Sequence, residues 1–175
     1  MEYRQLGAAE LEAPLFDGFD RTQQVTRCWR REKEGWIIRD IAFVDRWGAT
    51  EIARLTKMLR RTAQTSGVVL GAFSGGVLKG FASVEGRRFG SAEQYLCLSC
   101  LHVSSEMRRN GIGMALFLQA ADWAKAHGAA KLYISAHSAV ESQAFYLAMG
   151  CADTLEEAAE HVLAEPFDRQ MEFIL

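Results

Sequence analysis

Between Gln94 and His127 the hydrophobic pattern changes period within one continuous stretch, and this constrains the fold more than any other feature. Gln94 to Val103 reads as a strand. From Gly111 to His127 the residues Ile112, Leu116, Ala120 and Trp123 recur at helical spacing, Asp122 and Lys125 fall off that face, and Gly128 stops the helix. A strand that runs through a tight glycine turn into an amphipathic helix requires a sheet with a helix stacked on it. The turn also exposes a helix N-terminus, whose unpaired N–H groups and positive dipole end can hold a pyrophosphate. Gly111 and Gly113 carry no Cβ to keep phosphate oxygens away from those amides. No Gly-Lys-Ser/Thr follows, which excludes a nucleoside-triphosphate loop, and the third glycine of a dinucleotide-binding turn is missing.

The rest of the chain supplies more strands and helices. Glu2 to Leu6 reads as a short first strand, and Gln24 to Arg31 with Trp36 to Phe43 predict a hairpin around Glu32-Lys33-Glu34-Gly35. Thr50 to Arg61 is a helix with Ile52, Leu55 and Leu59 on one face. Gly67 to Phe73 and Val77 to Glu85 form a second hairpin across Ser74-Gly75-Gly76. After the central helix come a strand from Lys131 to Ala136, a helix from Ala139 to Met149 closed by Gly150, a helix-like Leu155 to Leu163, and a last strand from Arg169 to Leu175. Hairpins followed by strand–helix–strand–helix–strand define an α/β chain, with a mixed sheet flanked by helices. Two prolines, no low-complexity stretch and no repeat leave one domain over residues 1–175.

A formal net charge of -2 gives no bulk attraction to nucleic acid or anionic membrane. The N-terminus lacks a basic stretch followed by an apolar one, and no apolar run approaches the ~20 residues of a membrane span. Cys28, Cys97, Cys100 and Cys151 then point to a reducing, cytoplasmic setting. Cys97-Leu98-Ser99-Cys100 has C-x-x-C spacing, but strand alternation is expected to put its thiols on opposite faces, so no metal is expected.

Arg108-x-x-Gly111-x-Gly113 after a strand ending in Val103, together with Ala144-Phe145-Tyr146-Leu147-Ala148-Met149-Gly150-Cys151 further on, resembles the two motifs of the GCN5-related N-acetyltransferase (GNAT) family. The stretch Tyr133 to Tyr146 is similar to a bacterial branch of it, and the match covers Gly67 to Leu175. The resemblance implies a GNAT-like central mixed, mostly antiparallel β-sheet and acetyl-CoA as cosubstrate. It places the pyrophosphate on the turn formed by Arg108, Arg109, Asn110, Gly111, Ile112, Gly113 and Met114, with the Arg108 side chain a brace for that loop. It pairs the pantetheine arm with Leu101 and Val103, makes the Val103 N–H the oxyanion donor, and makes Tyr146 the general acid that protonates the departing thiolate.

The chain departs from the family pattern in three places. The second motif's frequent Asn is Ala139, which shifts the expected cofactor contact to Ser138 or Ser142; its terminal Phe is Cys151. The positions at which relatives carry a Glu or His base are Cys97 and Ser99. The amine is therefore expected to lose its proton through water, with Glu93 the one protein candidate at the end of such a chain. Glu85, His102 and His137 are the other ionisable groups nearby, the histidines being expected to be structural. Trp29, Trp36 and Trp47 fall in the unmatched N-terminal part, where the family shapes its acceptor pocket. The expected activity is acetyl transfer to a primary amine of a small molecule. A protein N-terminal or lysine acetyltransferase and a catalytically inactive CoA-binding sensor domain are the alternatives. No nucleic-acid or membrane partner is expected, and the pattern leaves a homodimer open.

Overall fold

The structure is a computed structural model describing residues 1–175. Nine strands and four α-helices follow in the order β1 (Glu2–Gln5), β2 (Gln23–Glu32), β3 (Gly35–Asp45), α1 (Ala49–Gln64), β4 (Val68–Ser74), β5 (Val77–Val84), β6 (Tyr95–Val103), α2 (Ile112–Ala126), β7 (Lys131–Ala136), α3 (Val140–Ala148), β8 (Ala152–Asp153), α4 (Ala159–Ala164) and β9 (Arg169–Ile174). Seven strands form one sheet in the order β1-β4-β5-β6-β7-β9-β8, and β2 with β3 forms a separate ribbon. Every neighbouring pair is antiparallel except β6 with β7, the pair that α2 connects. The expected class, a mixed and mostly antiparallel sheet with helices on it, is the observed one. The helix expected over Leu155 to Leu163 begins later, at Ala159, because Thr154 to Ala158 is tied to β6, β7 and β9.

The sheet has two covered faces. On one, α2 buries Ile112, Leu116, Phe117, Ala120 and Ala124 against Val68, Leu70, Ala82, Leu96 and Ile134, with Phe145 and Tyr146 of α3 at the margin. On the other, Leu55 and Leu59 of α1 pack on Val69, Phe73, Phe81 and Cys100. The β2–β3 ribbon joins this second face at the end of β7: the Trp29 N–H donates to the Ser138 carbonyl at 2.8 Å, and Val25 and Cys28 pack on Ala139. Gly80 lets α2 approach the sheet closely, since a Cβ there would lie 2.8 Å from Ile112 Cγ2 and 3.0 Å from Leu116 Cδ1.

One residue corrects the alternation expected along β6. Ser83 lies opposite Cys100 but Val84 opposite Leu98, so Ser99 is the extra residue of a β-bulge. Before it, Leu96 and Leu98 face α2; after it, Leu101 and Val103 do. Cys97 and Cys100 therefore share the α1 face instead of opposing one another. Both thiols are buried, and burial pushes them up, Cys100 to about 12, which fits packed thiols.

Candidate active site

The sheet opens in the middle. β6 pairs with β5 from Leu98 to Val103, but with β7 only at Tyr95, Leu96 and Cys97, opposite Lys131, Leu132 and Tyr133. Beyond Cys97 the two strands part. Antiparallel pairs alternate between bonded and non-bonded positions. The Ser104 N–H donates to the Lys79 carbonyl, so Val103 opposite Gly80 and Leu101 opposite Ala82 are non-bonded positions. Their main-chain groups point away from β5, into the gap. The Val103 carbonyl accepts from Arg108 Nε at 3.2 Å, whereas the Val103 N–H and both main-chain groups of Leu101 lack protein partners. This is a short, exposed strand edge inside the molecule.

At the open end of the gap, a 3₁₀ turn over Ser105–Met107 leads into α2. The N–H groups of Arg109, Asn110, Gly111, Ile112, Gly113 and Met114 donate to no protein acceptor. Six successive free amides at a helix start form an anion cradle. Arg109 (φ 62) and Gly111 (φ 77) take the left-handed conformation that turns these amides one way. A Cβ on Gly111 would meet nothing within 4 Å, so the concave side is open, while a Cβ on Gly113 would lie 3.6 Å from the side chains of Phe145 and Val103. The other residues of the turn hold its shape. Asn110 Nδ2 donates to the carbonyls of Met107 and Arg108, and Arg108 Nη2 to that of Arg21. Arg108, expected among the cofactor contacts, has its own N–H turned to Ser105, so it braces the cradle without forming part of it.

Tyr146, on α3, packs on the α2 face of the sheet near Phe117 and Phe145. It is half-buried; its hydroxyl makes no hydrogen bond within the protein and is not sealed from solvent. Burial pushes its phenol well above the usual value, with the neighbouring thiols and Asp168 adding to the effect. One helical turn earlier, Gln143 is fully buried, and neither its carboxamide oxygen nor its nitrogen has a partner. Nothing in the pattern around Gln143 marked it beforehand. Ser142 lies half-buried in the first turn of α3, its N–H bonded to the Ala139 carbonyl. Ser138 is buried, and its carbonyl holds the Trp29 N–H of the ribbon.

Glu93 does not reach this site. It precedes β6 at the closed end of the gap, the length of the strand, roughly 25 Å at about 3.3 Å per residue, from Val103. Its side chain is 74% exposed and lies 3.9 Å from Arg88. The expectation placed it by its position at the start of the strand; the strand's direction takes it away.

On the α1 face of the gap, His102 packs against Trp47, with ring centroids 4.8 Å apart, and against Phe81. Burial, reinforced by Arg21, pushes its imidazole down to about 3, which keeps it neutral at ordinary pH. Arg21 pairs with Asp45 at 2.7 Å and lies over Trp47. His137, just past β7, is likewise pushed down by burial, and its Nδ1 accepts the Ala139 N–H. The sheet thus presents an anion cradle and a free strand edge beside α2, and a polar, aromatic-lined wall beside α1.

A splayed mixed sheet with a free edge leading to an amide cradle defines a protein of the acyl-CoA-dependent acyltransferase class. The comparisons narrow this. The acetyltransferase (GNAT) family model matches residues 23–151, and the chain belongs to that family as an acetyl-CoA-dependent N-acetyltransferase. A search of curated proteins finds no match. Among solved structures, one described as a streptothricin acetyltransferase from Bacillus anthracis, in complex with acetyl coenzyme A, is similar at 15% identity and a TM-score of 0.74, with 99% of this chain and 98% of that one covered. Nourseothricin acetyltransferase is similar at 17% identity and a TM-score of 0.65, covering 98% and 95%. An aminoglycoside 6'-N-acetyltransferase complexed with coenzyme A gives 16% identity and a TM-score of 0.54, covering 73% and 81%. At these identities the likeness concerns the fold.

Proposed function

We propose that the protein transfers the acetyl group of acetyl-CoA directly to the primary amine of a small molecule. The observation that carries this reading is the continuity of unpaired main-chain groups, from Leu101 and Val103 on the strand edge to the six amides of Arg109 to Met114. Pantetheine carries amides that can pair with such an edge as an added strand would, and its pyrophosphate suits the cradle. The thioester then lies beside Val103, whose N–H points into the gap and stabilises the oxyanion formed on attack. Tyr146, whose hydroxyl is unengaged, donates a proton to the thiolate as the C–S bond breaks. Burial raises the phenol's pKa, but a thiolate leaving in the same dry setting becomes more basic as well, so the proton still has a destination. The small-molecule acceptor is supported by the names of the similar structures, which are those of streptothricin, nourseothricin and aminoglycoside acetyltransferases.

Steady-state turnover of acetyl-CoA over a panel of amines and peptides tests the reading. Tyr146→Phe is expected to lower kcat by roughly 10²–10⁴-fold while acetyl-CoA binding changes little. Wild-type turnover in the variant would return Tyr146 to a packing role, and turnover confined to peptides would replace the small-molecule acceptor.

A further inference from the structure

The acetyl-transfer reading leaves the seat of the amine and the acceptor of its proton unassigned. Asp168, in the segment ahead of β9, is half-buried against the end of β7. Its carboxylate accepts from Ser135 Oγ at 3.2 Å. Ser135 stands on the same face of β7 as Tyr133 and His137, the face covered by the ribbon and α1, and Ser138 lies where β7 ends at the gap. No Lys or Arg pairs with Asp168, whereas Asp45, Asp153, Glu157 and Glu172 all have cation partners. Ala136 pairs with Arg169, which sets Asp168 beside the end of β7, the end that has parted from β6. On its other side Asp168 closes a cleft of about 180 Å³ whose apolar wall includes Val162 and Phe167, with Trp36 and Pro166 beside them.

We propose that Asp168 seats the acceptor's ammonium and takes its proton, and that the cleft between Trp36 and Phe167 holds the acceptor's body. The acceptor class is then a primary monoamine with a flat apolar group. This rests on the acetyl-transfer reading above. An unpaired, half-buried carboxylate is the one strongly cation-seeking group in the cleft. The surrounding charges discriminate against a polyamine: Arg30 lies 4.4 Å from the Phe167 ring, Arg169 lies 5.4 Å from that of Trp36, and Arg31 lines the same wall. A second ammonium would meet guanidinium groups. Burial, helped by Glu165, pushes Asp168 up to about 6, where a carboxylate can accept a proton near neutral pH. The charged groups around it are Glu165 before it, Arg169 after it, Arg30 and Arg31 from β2, and Glu157 from the loop ahead of α4.

In the reaction one ammonium proton passes to the Asp168 carboxylate, and the freed lone pair forms the N–C bond at the thioester carbonyl. The C–S bond breaks, and the sulfur takes the Tyr146 proton. The second nitrogen proton restores the phenol, leaving the amide with its single N–H.

Binding of 2-phenylethylamine in the presence of CoA, measured by calorimetry against 2-phenylethanol and spermidine, tests the proposal without requiring turnover. The expected result is saturable binding of 2-phenylethylamine alone, at least tenfold weaker in Asp168→Asn and in Trp36→Ala, and falling about tenfold per pH unit below pH 6. Equal binding by wild type and Asp168→Asn, no binding of the probe, or tighter binding of spermidine overturns it. If Asp168→Asn fails to fold, Trp36→Ala and the wild-type pH profile still decide. Turnover is read in parallel: binding as expected with no acetylated amine supports the seat but overturns the acetyl-transfer reading.

Discussion

Gly111→Ala separates the cradle's role in binding from its role in folding. At φ 77 an alanine pays the left-handed penalty, about 1–2 kcal/mol. Its Cβ meets nothing within 4 Å, so no clash adds to that cost. For a domain of this size the melting temperature should fall by about 2–8 °C in total, at 2–4 °C per kcal/mol. Binding behaves differently, because the open side that receives the methyl group is the side on which phosphate oxygens must approach the amides. Acetyl-CoA at a hundredfold excess over the wild-type dissociation constant should stabilise the wild type by about 2.7 kcal/mol. If the methyl weakens binding a hundredfold, the same concentration only matches the new constant, and the increment drops to about 0.4 kcal/mol. Urea unfolding of both proteins with and without acetyl-CoA measures all four free energies. An undiminished ligand increment in Gly111→Ala would refute the cradle, however much the apo stability changed.

Gly80→Ala should do the reverse, costing about 1–3 kcal/mol in the apo protein, because its Cβ would press on Ile112 and Leu116 and push α2 off the sheet; an apo stability equal to wild type by urea unfolding would contradict the close approach. Glu93→Gln should leave kcat/KM within about twofold of wild type, and a loss approaching the ~10² of a general base would restore Glu93 to the site. Asp168 should give an unusual pH dependence of stability. Its pKa rises from 3.8 unfolded to about 6 folded, so between those values the native state holds the extra proton and stability falls as pH rises. The ceiling is about 3 kcal/mol at 1.36 kcal/mol per unit, and partial exposure reduces it to about 1–3. Asp168→Asn should therefore match the wild type near pH 3.5 and exceed it by that amount at pH 8; a difference that grows towards acid would refute the assignment.

Much of the architecture was legible because it is locally encoded. The change of period at Gly111 located α2, Lys131 to Ala136 matched β7 at both ends, and the hairpin around Gly75-Gly76 announced itself through its turn. The cradle was legible for the same reason, since its amides come from consecutive residues. What was not legible depended on distant contacts. The bulge at Ser99 is a property of the β5 register, so it reversed the expected faces of Cys97 and Cys100. Asp168 gave no signal because its surroundings are assembled from β7 and the ribbon, far away in the chain. Gln143 gave no signal either, since its burial comes from packing outside its own helix.

The parting of β6 from β7 also has a mechanical consequence. Within the sheet, the unit β1-β4-β5-β6 is joined to the unit β7-β9-β8 by three residue pairs alone, Tyr95 to Cys97 against Lys131 to Tyr133. Such a joint behaves as a hinge at the bottom of a wedge, stiff along its axis and compliant to opening. A cosubstrate laid along the free edge of β6 would brace the wedge from inside, and its departure would slacken the joint. Each catalytic cycle would then stiffen and relax the molecule, and amide exchange in the three-pair seam would be slow with acetyl-CoA bound and faster once CoA has left.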